Sequence, residues 1–148
     1  MKINQQTLFR VKSDLRSLEG VLFHFGQIYQ SWIPKKDWLQ CQLALVEGFT
    51  NAVRHAHKMI SSEVLIEIQL TLTEESLEIK IWDYGPPFNL EIFIQNLREN
   101  KDNESEGGRG VQILQKISNH LSYIRTNDNR NCLLIIKQFS LLTENANG

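Results

Sequence analysis

The chain has 148 residues, enough for one domain with a sizeable core, and its 41% hydrophobic and 22% charged residues are ordinary for a globular protein. Lys plus Arg is 16 and Asp plus Glu 17, a net charge of −1, which excludes the basic footprint of a nucleic-acid binder. No apolar run approaches the ~20 residues of a membrane span, and the opening MKINQQTLFRVKSDLRSLEG has no apolar leader core, so the cytoplasm is the expected compartment.

In chain order, Leu8, Arg10 and Lys12 alternate with Phe9 and Val11 in a short strand. Ser13 or Asp14 then caps a helix through Leu15, Leu18, Leu22, Phe25 and Ile28, and Ile33-Pro34 breaks it. The stretch Leu39 to His57, LQCQLALVEGFTNAVRHAH, has no Pro and a single Gly, and predicts a second helix ending near Lys58. At ~100° per residue, Leu39, Leu43, Val46, Thr50 and Val53 share one arc, widened on one side by Trp38, Leu45 and Phe49 and expected to be the buried one. Beside it Glu47, Asn51 and His55 recur at every fourth residue. A carboxylate and an amide oxygen one turn apart suit a hard cation such as Mg²⁺ and a positioned hydroxyl, although an amphipathic helix with a polar flank has the same pattern.

The period then changes to two. Val64, Ile66, Ile68, Leu70 and Leu72 alternate with mostly polar residues, 73–76 turn, and Leu77, Ile79 and Ile81 alternate again, which is an antiparallel hairpin with one buried face. Asp83 has the parity of Ile79 and Ile81, so its carboxylate points to the core side and needs a partner there, either a salt bridge or an NH₂ donor from a ligand. Tyr84-Gly85-Pro86-Pro87 turns, and Leu90 to Leu97 forms a short helix. From Arg98 to Glu106, RENKDNESE has nothing apolar to bury and is a candidate lid. Gly107-Gly108-Arg109-Gly110 leads into Val111, Leu114, Ile117 and Leu121 at helical spacing. That turn is either a flexible joint or a helix-start anion site to which Arg109 adds donors. Ser122–Thr126 and Cys132–Phe139 make a last hairpin, and Cys41 and Cys132 read as buried free thiols.

Glu-x-x-x-Asn on a helix, Asp-x-Gly after a strand and a Gly-rich turn before a helix stand in that order. Through LALVEGFTNAVRHAH, IKIWDYGPPFN and EGGRGVQIL, the chain resembles the GHKL (Bergerat-fold) ATPases, and within them the serine/threonine-kinase anti-sigma factors. The resemblance implies an α+β fold, a two-layer sandwich whose mixed, mostly antiparallel sheet is covered on one face by helices. The domain is expected over 8–140, with flexible termini at 1–7 and 141–148. The resemblance further implies ATP and Mg²⁺ as cofactors, Glu47 as general base and Asn51 as Mg²⁺ ligand. It also implies Asp83 as acceptor for the adenine amino group, Gly85 as the glycine admitting the base, and Gly108, Arg109 and Gly110 under the phosphates. The implied partners are a sigma factor or similar regulator, a STAS-type anti-sigma-factor antagonist as phosphoryl acceptor, and a second copy in a homodimer, with no nucleic acid or membrane. The alternative is a non-catalytic protein that sequesters a partner with or without ATP. Two positions depart from the family pattern: Pro87 stands where a glycine is common, and Asn131-Cys132 stands where Gly-Thr is common, with the weakly hydrogen-bonding cysteine in place of threonine.

Overall fold

A computed structural model describes residues 2–99 and 108–140. In chain order it contains β1 (Ile3–Lys12), a 3₁₀ turn (Leu15–Ser17), α1 (Leu18–Gln27), and α2 (Lys35–Asn51) running into a π-helical turn (Ala52–Ala56). Then follow β2 (Leu65–Thr73), β3 (Ser76–Asp83), α3 (Leu90–Glu99), α4 (Gly108–Ile117), β4 (His120–Arg125) and β5 (Asn131–Gln138). The strands form one sheet in the order β1-β2-β3-β5-β4, antiparallel at every pairing. This is the expected α+β sandwich, with no parallel pair among the described residues.

The period of two in β2 and β3 works as predicted. Ile66, Ile68, Leu70, Leu72, Leu77, Ile79 and Ile81 are all buried and meet Phe25, Leu45 and Phe49 from the helices. Leaving such a side chain in water instead would cost about 1.5–3 kcal/mol each, so this layer is what holds the helices on the sheet. The rings of Phe25 and Trp38 stack at 3.9 Å and join α1 to α2. Gly48 lets α2 lie close on the sheet, since a Cβ there would come within 2.7 Å of Ile81 Cδ1.

Four local expectations need correction. First, β1 begins at Ile3, so residues 3–7, expected as a flexible end, pair with β2 out to Thr73. Polar side chains at Asn4, Gln5 and Gln6 hide a strand from periodicity when only its backbone is paired. Second, Asp14 does cap, accepting from the Arg16 N–H at 2.9 Å, but the turn it starts is 3₁₀ and the α-helix proper begins at Leu18. Third, the buried stripe is Cys41, Ala44, Leu45, Gly48 and Phe49 of α2, continued by Ala52 of the π turn; Leu45 and Phe49 are buried as expected, whereas Leu39 and Leu43 are 55% and 42% exposed. Helical spacing fixes a set of arcs but not which one faces the sheet, and here the arc with the small residues does, because α2 must approach closely. Fourth, the helix does not stay α to Lys58: after Asn51 it widens into the π turn, closed by His57 N–H donating to Ala52 O at 2.8 Å. Of the expected lid, Arg98 and Glu99 end α3, and the remainder lies outside the described residues.

Candidate functional site

A cavity of about 290 Å³ opens between the helices and the sheet, near the size of small-ligand clefts. Its walls are largely apolar, with Ile81, Val111, Leu114, Leu121 and Leu133 among them, and its polar groups come from Asn51, His55, Asp83 and Tyr123. Two polar clusters flank it, built in different ways.

The first centres on Asp83, the last residue of β3 and 2% exposed. Its parity points it inward as predicted, and what meets it there is no cation. Oδ1 accepts from the Gly85 N–H at 2.8 Å and from Asn131 Nδ2 at 2.9 Å, while Oδ2 accepts from the Tyr123 hydroxyl at 2.6 Å. Asn131 is placed by register, directly opposite Asp83 in the β3–β5 ladder. It also donates to the carbonyls of Gly85 at 2.9 Å and Pro86 at 3.3 Å, and Arg125 donates to Gly85 O at 3.0 Å. The turn after β3 is thereby tied down. Burial, and then the bond to Asp83, push the Tyr123 hydroxyl well above the usual tyrosine range, so it stays a donor.

His57 clamps the same turn from the π-helical side, its Nε2 accepting from the Tyr84 N–H at 2.8 Å. Its Nδ1 is buried without a partner, and burial holds the ring below its ordinary pKa against a smaller opposing pull from Asp83. It is a neutral acceptor, and the described residues contain no group of three or more His, Cys, Asp or Glu placed to hold a metal by themselves. Gly85 fits here because a Cβ would lie 2.6 Å from the carbonyl oxygen of Ala56; what its bare backbone admits is the end of the helix.

The second cluster is the pair Glu47 and Asn51. Both are half-buried, one turn apart on α2 as predicted, and the start of α4 is laid against them. A Cβ on Gly110 would meet Glu47 Oε2 at 3.1 Å and Asn51 Oδ1 at 3.3 Å, a tight fit that would take up space beside these oxygens. Gly108 is buried at the first position of α4 and Arg109 follows it on the exposed side. Neither the Glu47 nor the Asn51 side chain makes a hydrogen bond among the described residues. Oxygens left available beside a helix start suit a cation and a polar, anionic ligand, so the residues present fit Mg²⁺ and a phosphate chain. Asn51 and, on the π turn, His55 line the cavity, and Glu47 does not.

Three contributors went unseen in the sequence: Tyr123, Asn131 in its role toward Asp83, and Arg125. The departure at Cys132 proves beside the point. Cys132 pairs with Trp82 on the opposite face of the sheet, and the residue turned to the cavity side is Asn131. Strand parity held that information once β5 was known to lie against β3.

The site thus combines an antiparallel sheet, an acid at the end of a central strand and a Glu/Asn helix facing a glycine helix start. A family model described as the histidine kinase-like ATPase domain matches residues 11–137, and the chain belongs to that family. Within it, the chain is similar to the serine-protein kinase RsbW of Staphylococcus epidermidis, 28% identical over 111 residues that cover 72% of this chain and 66% of the relative. The RsbW of Staphylococcus aureus strain MSSA476 matches with the same identity and coverage. The match thus spans just under two thirds of these relatives' length. The resemblance to the GHKL ATPases seen in the sequence is borne out by the family, and the likeness to serine-protein kinases agrees with the narrower resemblance. No described helix is long and apolar enough to cross a membrane.

Proposed function

We propose that this protein is an ATP-dependent protein serine/threonine kinase of the partner-switching type. It would bind a sigma factor or a similar regulator and phosphorylate a STAS-type antagonist of that regulation. The observation that carries this reading is the convergence of Glu47 Oε2 and Asn51 Oδ1 on the bare backbone of Gly110, beside a cavity that holds the buried Asp83. The serine-protein kinase name of the similar proteins supports the same reaction.

In this reading the adenine amino group donates to Asp83 in the apolar cavity, and the triphosphate runs toward the α4 start and the N–H groups after Gly108. Asn51 would hold Mg²⁺, which when bound neutralises phosphate charge. Glu47 accepts the proton of the acceptor hydroxyl as that oxygen attacks the γ-phosphorus, and ADP leaves. Phosphoryl transfer asks little else of a protein beyond position and charge.

The test is incubation of the protein with labelled ATP·Mg²⁺ and candidate antagonists of the STAS type, with detection of phosphoserine or phosphothreonine. Transfer to one antagonist, together with release of the regulator by the unphosphorylated antagonist, is the expected result. Stable binding of the regulator without transfer to any of them would identify a sequestering protein instead of a kinase.

A further inference from the structure

The hydrogen-bond inventory around Asp83 carries more than nucleotide binding. A carboxylate has about four acceptor positions. Oδ1 uses two, on the Gly85 N–H and on Asn131 Nδ2, and Oδ2 uses one, on the Tyr123 hydroxyl. One position therefore remains, on the oxygen that Tyr123 shares. The Tyr123 hydroxyl in turn has committed its only hydrogen to Asp83, so it can offer the cavity lone pairs and nothing else.

We propose that Tyr123 is a specificity-determining residue: with its proton fixed on Asp83, the Asp83–Tyr123 pair presents only acceptors at its end of the cavity, which admits a 6-aminopurine and refuses a 6-oxopurine. The inference rests on the reading of the cavity as a nucleotide site. An exocyclic NH₂ brings donors to the remaining Asp83 position and to the Tyr123 oxygen. A 6-oxo group sets its lone pairs against theirs.

Three features keep the hydroxyl in this role. The Tyr123 ring is half-buried on β4 and packs edge-on against Phe88 at 5.9 Å, and Phe88 leans on Phe93 of α3 at 5.3 Å. Its backbone is opposite Leu133 in the β4–β5 ladder, so its position is set by the sheet. The bond itself, at 2.6 Å, is a short charge-assisted one. Removing it with Tyr123→Phe keeps the ring and its packing while Oδ2 loses its fixed donor. The amino group then loses the Tyr123 oxygen as an acceptor, and an oxo group loses one of the two sets of lone pairs that oppose it.

The test is equilibrium binding of ATP and of inosine triphosphate, which carries the 6-oxo base on the same phosphates, to wild-type protein and Tyr123→Phe with Mg²⁺ present. The wild type is expected to prefer ATP by at least ~10-fold, the scale of one charged hydrogen bond, and Tyr123→Phe to lower that preference by about tenfold. A purely structural tyrosine would weaken both nucleotides equally, so an unchanged ratio in a folded Tyr123→Phe overturns the proposal. Equal wild-type affinity for the two nucleotides overturns it without any variant. Failure of the wild type to bind either one removes the nucleotide reading itself, a result distinct from both.

Discussion

The Asp83 cluster and the Glu47–Asn51 pair flank one cavity, which Asp83 and Asn51 line, and are opposites in construction. Asp83 is buried, and each of its oxygens is held by the protein's own donors: Gly85, Asn131 and Tyr123. Glu47 and Asn51 are half-exposed oxygens with a glycine held against them. A buried charge must be satisfied internally or it destabilises the fold, whereas a group that meets a changing ligand works only if its bonding capacity is left open. The difference teaches that one cluster is part of the folding problem and the other is not. Changes at Asp83 should therefore cost stability and affinity together, while changes at Glu47 should cost activity alone.

The largest expected effect lies on the open side. Glu47→Gln keeps shape and removes the proton acceptor, so phosphotransfer should fall by ~10²–10⁴-fold. Its ATP affinity and thermal midpoint should stay near the wild-type values. A phosphotransfer assay run beside calorimetry checks this, and an undiminished rate would remove Glu47 from the role of base.

Next comes Asp83→Asn. The amide turns one acceptor into a donor, and that NH₂ must then face Tyr123 or the Asn131 and Gly85 donors. Affinity for ATP should weaken by about 1–3 kcal/mol, and unfolding stability should drop on the same scale. Lost affinity with unchanged stability in urea titration would break the contrast between the clusters.

Gly110→Ala tests the approach of α4. The added Cβ lands 3.1 Å from Glu47 Oε2 and 3.3 Å from Asn51 Oδ1, in the space a ligand would share. Transfer should fall about tenfold, on the order of 1.4 kcal/mol in the barrier, with little change in the unfolding midpoint. An equal loss in both would mean the glycine serves packing only.

The smallest effect is one of pH. His57 is held below its ordinary value of 6.5, chiefly by burial, so the unfolded chain binds its proton more readily than the folded one. Its contribution is fully present above about pH 6.5 and declines as pH falls toward the lowered folded value. Protonation also removes the lone pair that accepts from Tyr84. Urea midpoints of wild type and His57→Gln at pH 7.5 and 5.5 should converge at the lower pH. A constant gap would show that the ring titrates alike in both states.

Much of this was legible before any fold was known. The period of two in 64–72 and 77–81 named the sheet core correctly because alternation maps one-to-one onto the faces of a strand. The same rule turned Asp83 inward, and the four-residue step put Glu47 and Asn51 side by side, since both follow from local backbone geometry alone. What tertiary structure decided is which surfaces meet. The α2 arc toward the sheet carries Cys41, Ala44 and Gly48 and leaves Leu39 outside, because close approach of a helix depends on the partner surface. The π turn after Asn51, which carries His55 on the cavity wall, answers to the turn it packs on and has no signature in spacing. Pairing β3 with β5 sets Asn131 beside Asp83, and β4 then carries Tyr123 to the same carboxylate, 40 residues along the chain. The sequence alone determined the period, the parity and the spacing of these groups, because each is a property of neighbouring residues. Partners for a buried charge are long-range contacts, and only the assembled sheet chose them.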